Sequence, residues 1–403
     1  MSVFQAGFGK VEITPHHWGF PLMGYGNRVA GASGAHDPLW AKAVVVDDGV
    51  GRWALCSVDM CWISADSVAK IREKVGTQTT LTPESILVCA THTHSGPHDT
   101  DAGNWDQPFV NLITEAIVQA WQSRQPAKLA VGAGFLYGHS LNRRWFDRPV
   151  DPSVGVLRID SMTGDLLGIV SNFACHPVVL GYDNLLASAD FVGYASSLVE
   201  DTIGGMCIFT NGGCGDVNPL TETVRQQRTA KQYFVTMAPE ATYYGHGSKA
   251  VAIGDRGGGT FAEAEIIGQV LGAEICYVAQ GLETQAPVVT PWSRQVWVNR
   301  LDDGEALIET QALGVGDFAL VAQPGEVFVE TALEIKASLR QRNYLYPWLV
   351  SYANDWQYYL VPETAFPEAG YEVDWATKLQ HSSTLQDRLI TSILNAIDET
   401  KSP

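Results

Sequence analysis

Five consecutive apolar residues, Ile86-Leu87-Val88-Cys89-Ala90, run directly into Thr91-His92-Thr93-His94-Ser95-Gly96-Pro97. An apolar run of that length reads as a buried strand. Gly96-Pro97 then turns the chain. On an extended segment residues i and i+2 point the same way, so His92 and His94 are expected to be presented together at the strand's end. Open α/β sheets place their sites at such ends. Imidazole ligates Zn²⁺ and moves protons near neutral pH.

The pattern recurs twice. A strand delivers His176, and Pro177 ends its pairing. Another strand runs into Gln323-Pro324-Gly325-Glu326, with Glu326 opening a helix. If these strands are neighbours in one sheet, two imidazoles and a carboxylate converge at one edge. That is the three-ligand set of a catalytic zinc, with one position left for water. Singly, each has a plainer role: a hydrogen-bonded histidine before proline, or a charge at a helix N-terminus. Jointly they point to a metal-dependent hydrolase.

Around them, strand patterns occupy 41–47, 53–59, 129–134, 154–159, 167–175, 206–210 and parts of 287–323. Helical patterns occupy 67–75, 110–124, 190–200 with Asp190 as N-cap, 261–281 and 326–342. This alternation predicts an α/β fold, with α+β as the alternative: a mixed sheet layered with helices and a metal site at strand ends. No repeat or long linker divides residues 1–403, so a single catalytic domain is expected. The 46% hydrophobic and 17% charged composition supports a large core. A net charge of −18 argues against nucleic acid and anionic membrane. No apolar run nears the roughly 18–20 residues that span a bilayer, and no basic-then-apolar segment opens the chain, so a cytoplasmic protein without membrane insertion is expected. Seven cysteines without a CxxC pair read as reduced core residues, Cys175 and Cys214 included. The glycine-rich 243–260 stretch reads as a mobile loop. Its Arg256–Thr260 segment lacks the Lys-Ser/Thr ending of a phosphate-binding loop.

Further motifs follow in order: Ala6-Gly7-Phe8-Gly9-Lys10-Val11-Glu12-Ile13-Thr14-Pro15, Met23-Gly24-Tyr25-Gly26, Gly34 through Ala43, Asn142-Arg143, Phe173–Pro177, Gly215-Asp216-Val217-Asn218-Pro219, Tyr352-Ala353-Asn354 through Tyr359, and Tyr371-Glu372. With Thr91–Pro97 and Pro324-Gly325-Glu326, this ordered set resembles the catalytic domain of neutral (non-lysosomal) ceramidases. The resemblance implies a zinc-dependent amide hydrolase working through metal-activated water. By it, His92, His176, Glu326 and Tyr359 correspond to zinc ligands, and His94 to a catalytic histidine beside the metal water. Arg143 and Tyr371 correspond to groups holding the substrate carbonyl and the developing oxyanion. Asn218 stands where the family has serine. It lacks a hydroxyl but can still hydrogen-bond a substrate.

Family members are secreted or membrane-attached and carry a further C-terminal β-sandwich. A shorter homologue without leader or sandwich is expected here, acting on a small or medium soluble amide rather than ceramide. A zinc esterase or lactonase on the same scaffold, and a non-catalytic zinc-containing binding protein, are the alternatives. A TIM-barrel hydrolase would need eight βα repeats, which are absent. A small molecule is the expected partner, with homo-oligomerisation left open. Lesser candidates are Trp105, Trp145 and Trp356 as pocket or core aromatics, and His36, Asp37 and Asp59 as groups orienting ligands. Asp216 is expected as a buried hydrogen-bonding residue. His98, Asp99 and Asp101 belong to a substrate-facing or solvated loop. His16, His17, His139, His246 and His381 have no partner pattern.

Overall fold

The computed structural model describes residues 3–26, 28–99, 104–145, 147–222, 224 and 259–399 of the 403. Asp101, His246 and the 243–258 part of the glycine-rich stretch lie outside them.

The first half of the chain forms β1 (Gln5–Glu12), β2 (Gly34–Ala35), β3 (Trp40–Asp47), β4 (Arg52–Val58), α1 (Ala65–Gly76), β5 (Ile86–Ala90), α2 (Phe109–Gln122), β6 (Gln125–Phe135), β7 (Ser140–Asn142), β8 (Ser153–Ser161), β9 (Leu166–Phe173), β10 (Leu186–Ala187), α3 (Phe191–Ile203), β11 (Met206–Asn211) and β12 (Val217–Pro219). The second half forms α4 (Phe261–Gln280), β13 (Trp292–Asn299), β14 (Leu307–Val315), β15 (Phe318–Ala322), β16 (Glu326–Val327), α5 (Val329–Gln341), β17 (Tyr346–Val350), β18 (Tyr359–Leu360), α6 (Tyr371–Lys378) and α7 (Leu385–Glu399).

Eight strands build one mixed sheet in the order β11-β9-β8-β6-β1-β3-β4-β5. Its neighbours run antiparallel except at its two ends, where β4–β5 and β9–β11 pair in parallel. A second sheet has the order β13-β14-β15-β17, and β15–β17 is parallel. The strands are apolar on both sides because both sides are covered. Val44, Val46 and Leu55 face Leu313, Leu320 and Trp348 of the second sheet. The alternate residues Ala43, Val45 and Ala54 face Ile71, Ile113 and Ile117 of α1 and α2. Helices α3 and α4 cover the other end of the large sheet, and α5 and α7 cover the second sheet. The predicted mixed α/β fold is what the chain adopts. Each fully buried Val or Leu in these layers contributes roughly 1.5–3 kcal/mol.

Local chemistry sets the helix starts. Ser64 accepts from the Ser67 amide, Asp190 from the Phe191 amide, and Thr260 forms a capping box with Glu263. Strand β1 is absent from the sequence reading because Gly7 and Gly9 interrupt its apolar pattern. Those glycines let α2 settle on the strand: a Cβ at Gly7 would lie 2.2 Å from the Ala120 carbonyl oxygen, and one at Gly9 2.1 Å from that of Ala116. The seven cysteines are all buried and unpaired, as expected. No helix among the described residues is long and apolar enough to cross a membrane.

The sheets are also tied by a buried ion pair. Arg72 of α1 places NH1 and NH2 2.7 Å from the two carboxylate oxygens of Glu309 on β14. Asn354 donates to the same carboxylate at 2.7 Å. Arg72→Ala strands Glu309 in the interior and should lower the unfolding free energy by about 3–5 kcal/mol. Denaturant titration measures this, and a loss under about 1 kcal/mol would show that the pair is not holding the layers.

Candidate active site

The strands that deliver the three expected ligands are not neighbours. β5 lies at one edge of the large sheet and β9 next to the opposite edge, while Glu326 follows β15 in the second sheet. They meet because the large sheet curls until its ends touch: Ser57 Oγ on β4 donates to the Phe209 carbonyl on β11 at 2.6 Å. Asn211, fully buried at the end of β11, fastens the junction. Its side-chain amide donates to the carbonyls of Thr91 and Cys175, at 3.2 and 3.1 Å, and its side-chain oxygen accepts from the Cys175 amide. Its backbone carbonyl accepts from Ser351 at the end of β17. One side chain thus fixes the residues immediately before His92 and His176. Its only local signal in the sequence is an asparagine at a strand end before Gly212-Gly213.

His92 is not extended. Its φ of 68° lies in the left-handed region, a conformation costing a non-glycine residue of order 1–3 kcal/mol. That kink, rather than strand alternation, turns its ring toward His94, with the two Nε2 atoms 3.0 Å apart. Tyr352 stacks on the His92 ring at 3.9 Å and 9°, and its hydroxyl meets Cys214 Sγ at 3.1 Å. Behind His94, Gly24 has a φ of 105°, and a Cβ there would lie 2.3 Å from His94 Cγ. Arg28 donates from Nε, NH1 and NH2 to the carbonyls of Leu22, Met23, His94, Gly181 and Tyr182, and so holds the His94 backbone in place.

His92 Nδ1 lies 2.6 Å from the Cys61 carbonyl and His176 Nδ1 3.2 Å from the Val217 carbonyl. A carbonyl only accepts, so each Nδ1 carries a proton, and in the neutral ring each Nε2 presents a lone pair. His176 Nε2 is 2.8 Å and His92 Nε2 3.6 Å from Glu326 Oε2. Burial, with Arg143 nearby, lowers the His176 pKa to about 4. Lone pairs pointed at a buried carboxylate call for a cation between them. His92, His176 and Glu326 therefore form a group able to hold a metal ion, and Cys61, His92 and His94 form a second. Glu326 does not open a helix. It sits in β16, paired in parallel with Tyr359 of β18, and α5 starts three residues later.

Tyr359 accepts a hydrogen bond from Arg143 NH2 at 3.0 Å. Arg143 Nε donates to Glu372 Oε1 at 2.9 Å, and its NH1 lies 3.4 Å from Asn218 Oδ1. Arg144 takes the other Glu372 oxygen at 2.8 Å. Burial alone would raise the Glu372 pKa, but the two guanidinium groups overcome it and hold it low. Glu372, which has no role in the sequence motif Tyr371-Glu372, aims Arg143. Burial pushes the Tyr359 and Tyr371 phenols well up.

His92, His94, Arg143, Glu326, Tyr359 and Tyr371 line one cavity of about 390 Å³. His176 and Asn218 stand behind its wall. Trp356 lines it too. Trp105 is core, bonded to the Ile13 carbonyl, and Trp145 bonds Glu368. Asp37 and Asp59 do not orient the ligands: they line a separate cavity of about 150 Å³, while His36 stacks on Phe261. Asp99 accepts from the Ser64 amide ahead of α1, and His98 packs edge-on against Trp62. Asp216 is the buried hydrogen-bonding residue expected, accepting from Val329 and Asn142.

Fold and site together define a class: a layered α/β protein with a buried histidine-carboxylate donor set at the floor of an open cavity. Residues 4–287 match the sequence model of the family described as neutral/alkaline non-lysosomal ceramidase, N-terminal, and the chain belongs to that family. It is 31% identical over 258 residues to neutral ceramidase B of Dictyostelium discoideum, covering 55% of this chain and 36% of that protein. It is 26% identical over 247 residues to neutral ceramidase of Pseudomonas aeruginosa, covering 54% and 37%. The matched segments thus span little more than a third of these relatives. A crystal structure of Pseudomonas aeruginosa neutral ceramidase shares the fold with a TM-score of 0.78 at 18% identity, over 98% of this chain and 74% of that one. The family match ends before Glu326, Tyr359 and Tyr371.

Proposed function

We propose that this chain is a zinc-dependent hydrolase that cleaves the amide bond of a compact N-acyl substrate. The observation carrying this reading is the convergence of two Nε2 atoms on one buried carboxylate oxygen, His176 to Glu326 at 2.8 Å and His92 to Glu326 at 3.6 Å. His92, His176, Glu326 and Tyr359 would hold the ion. When bound, zinc supplies a Lewis acid and lowers the pKa of water toward about 7. The remaining work falls to the chain. Arg143, aimed by Glu372 and Asn218, and the protonated Tyr371 phenol donate to the substrate carbonyl as its oxygen gains charge. His94, against His92 at the cavity wall, moves a proton to the departing amine. Because His92 and His176 follow strands of the large sheet while Glu326 and Tyr359 pair with each other in the short β16–β18 sheet, we read the chain as one catalytic unit.

The test is a hydrolysis screen over short N-acyl amines, lactones and ceramide, with metal analysis of the same preparation. About one zinc per chain and amide turnover lost to chelator are expected. One zinc bound with no amide cleaved would overturn the reading. Gly24→Ala is expected to push the His94 ring aside and lower amide turnover roughly 10- to 100-fold. Steady-state kinetics check this, and unchanged turnover would remove His94 from the reaction.

A further inference from the structure

The cavity also specifies what a substrate carries beside the scissile bond, an inference that rests on the amide-hydrolase reading. Four half-buried rings line it as two stacked pairs. Trp62 lies on Trp356 at 4.9 Å and 10°, and Tyr358 on Trp375 at 4.6 Å and 12°. Trp356 joins the pairs, 5.1 Å from Tyr358, and its ring lies 5.7 Å from that of His92. An aromatic wall therefore starts at the donor set and runs outward. A ring already stacked on one side presents an outer face or an edge to a third group, and another aromatic ring packs well on either.

Among the described residues the wall carries one charge, the Lys378 ammonium 4.3 Å from the Trp375 ring centre. Arg28 is spent on backbone carbonyls, Arg143 on Glu372, Tyr359 and Asn218, and Glu326 on the histidines. At about 390 Å³ the cavity is near the small end of the roughly 300–1,000 Å³ range of small-molecule sites. It suits one compact group and not two long chains.

We propose that the substrates are compact amides bearing an aromatic ring within a few bonds of the scissile bond, the ring packing on the Trp62–Trp356 and Tyr358–Trp375 pairs. The reaction is ordinary hydrolysis. Water oxygen bonds to the acyl carbon, the C–N bond breaks, and nitrogen takes the proton, giving a carboxylic acid and an amine.

The experiment compares kcat/KM of the zinc-loaded protein on pairs with equal numbers of heavy atoms. One pair is N-ethyl-2-phenylacetamide with N-ethyloctanamide; the other is N-(2-phenylethyl)acetamide with N-octylacetamide. A long-chain ceramide dispersed in detergent is included. The ring-bearing member of at least one pair is expected to lead by about 10-fold. Trp356→Leu and Trp375→Leu, made separately, should each shrink that ratio to within about 2-fold. Equal rates within both pairs, a ratio that survives both substitutions, or preferential cleavage of ceramide would each overturn the proposal while leaving amide hydrolysis standing. Cleavage of no amide would instead end the parent reading. Tryptophan fluorescence then tests the wall directly: quenching by N-ethyl-2-phenylacetamide beyond that by N-ethyloctanamide supports it, and equal quenching overturns it.

Discussion

Glu326→Gln is expected to cut amide turnover by at least ~10³-fold and to remove most of the bound metal. The substitution keeps the side chain's volume and replaces a buried anion by a neutral amide. That amide can still donate to His176 Nε2, which lies 2.8 Å from the present carboxylate, so the fold should survive. The protein loses the one carboxylate facing both Nε2 atoms, and a cation there would lose its nearest opposite charge. Several kcal/mol of stabilisation at the reacting carbonyl depend on that cation, and about 4 kcal/mol corresponds to ~10³ in rate. Elemental analysis of the purified variant reads the metal, circular dichroism reads the fold, and kinetics read the rate. A folded variant with full zinc and full turnover would take Glu326 out of the donor set.

Arg143→Ala is expected to lower turnover by roughly 10²–10³-fold with zinc retained, the loss typical of a deleted oxyanion donor. Arg143 lies within 3.0 Å of Tyr359 and 2.9 Å of Glu372, so the truncation also half-strips a buried carboxylate of its partners. Arg143→Lys separates the two effects. A lysine keeps a positive charge near Glu372 but cannot span Glu372, Tyr359 and Asn218 from one planar fork. It should fold nearly as well as the parent and still lose most of its turnover. Parent-like kcat in Arg143→Lys would assign Arg143 to packing alone.

The site was legible where chemistry and strand ends coincide in the sequence. His92 follows Ile86–Ala90 by two residues, and His176 and Glu326 stand just past strands and before or after a proline turn. Such signals are local, so periodicity and turn residues expose them. The supporting residues were not legible. Asn211 earns its meaning from carbonyls 120 and 36 residues away, and Glu372 from arginines 229 and 228 positions earlier. Nothing near either residue announces those partners. Arg28 reads as an ordinary surface cation until five carbonyls close around it. The C-terminal helices α6 and α7 and strand β17 carry no comparably clear local pattern.

Sequence by itself determined the long apolar strands and the ligand-type side chains that follow them, because such a strand's burial is written in its own residues; β1, interrupted by glycines, and β17 were not legible in this way. It also carried the family. Only the tertiary structure decided that β5, β9 and β15, distant in sheet order or in separate sheets, bring those side chains to one point. It decided too that His92 adopts a left-handed backbone to do so. Which edges meet is fixed by the burial of both faces of a curling sheet under a second sheet and helices, and that is a property of the whole packed molecule.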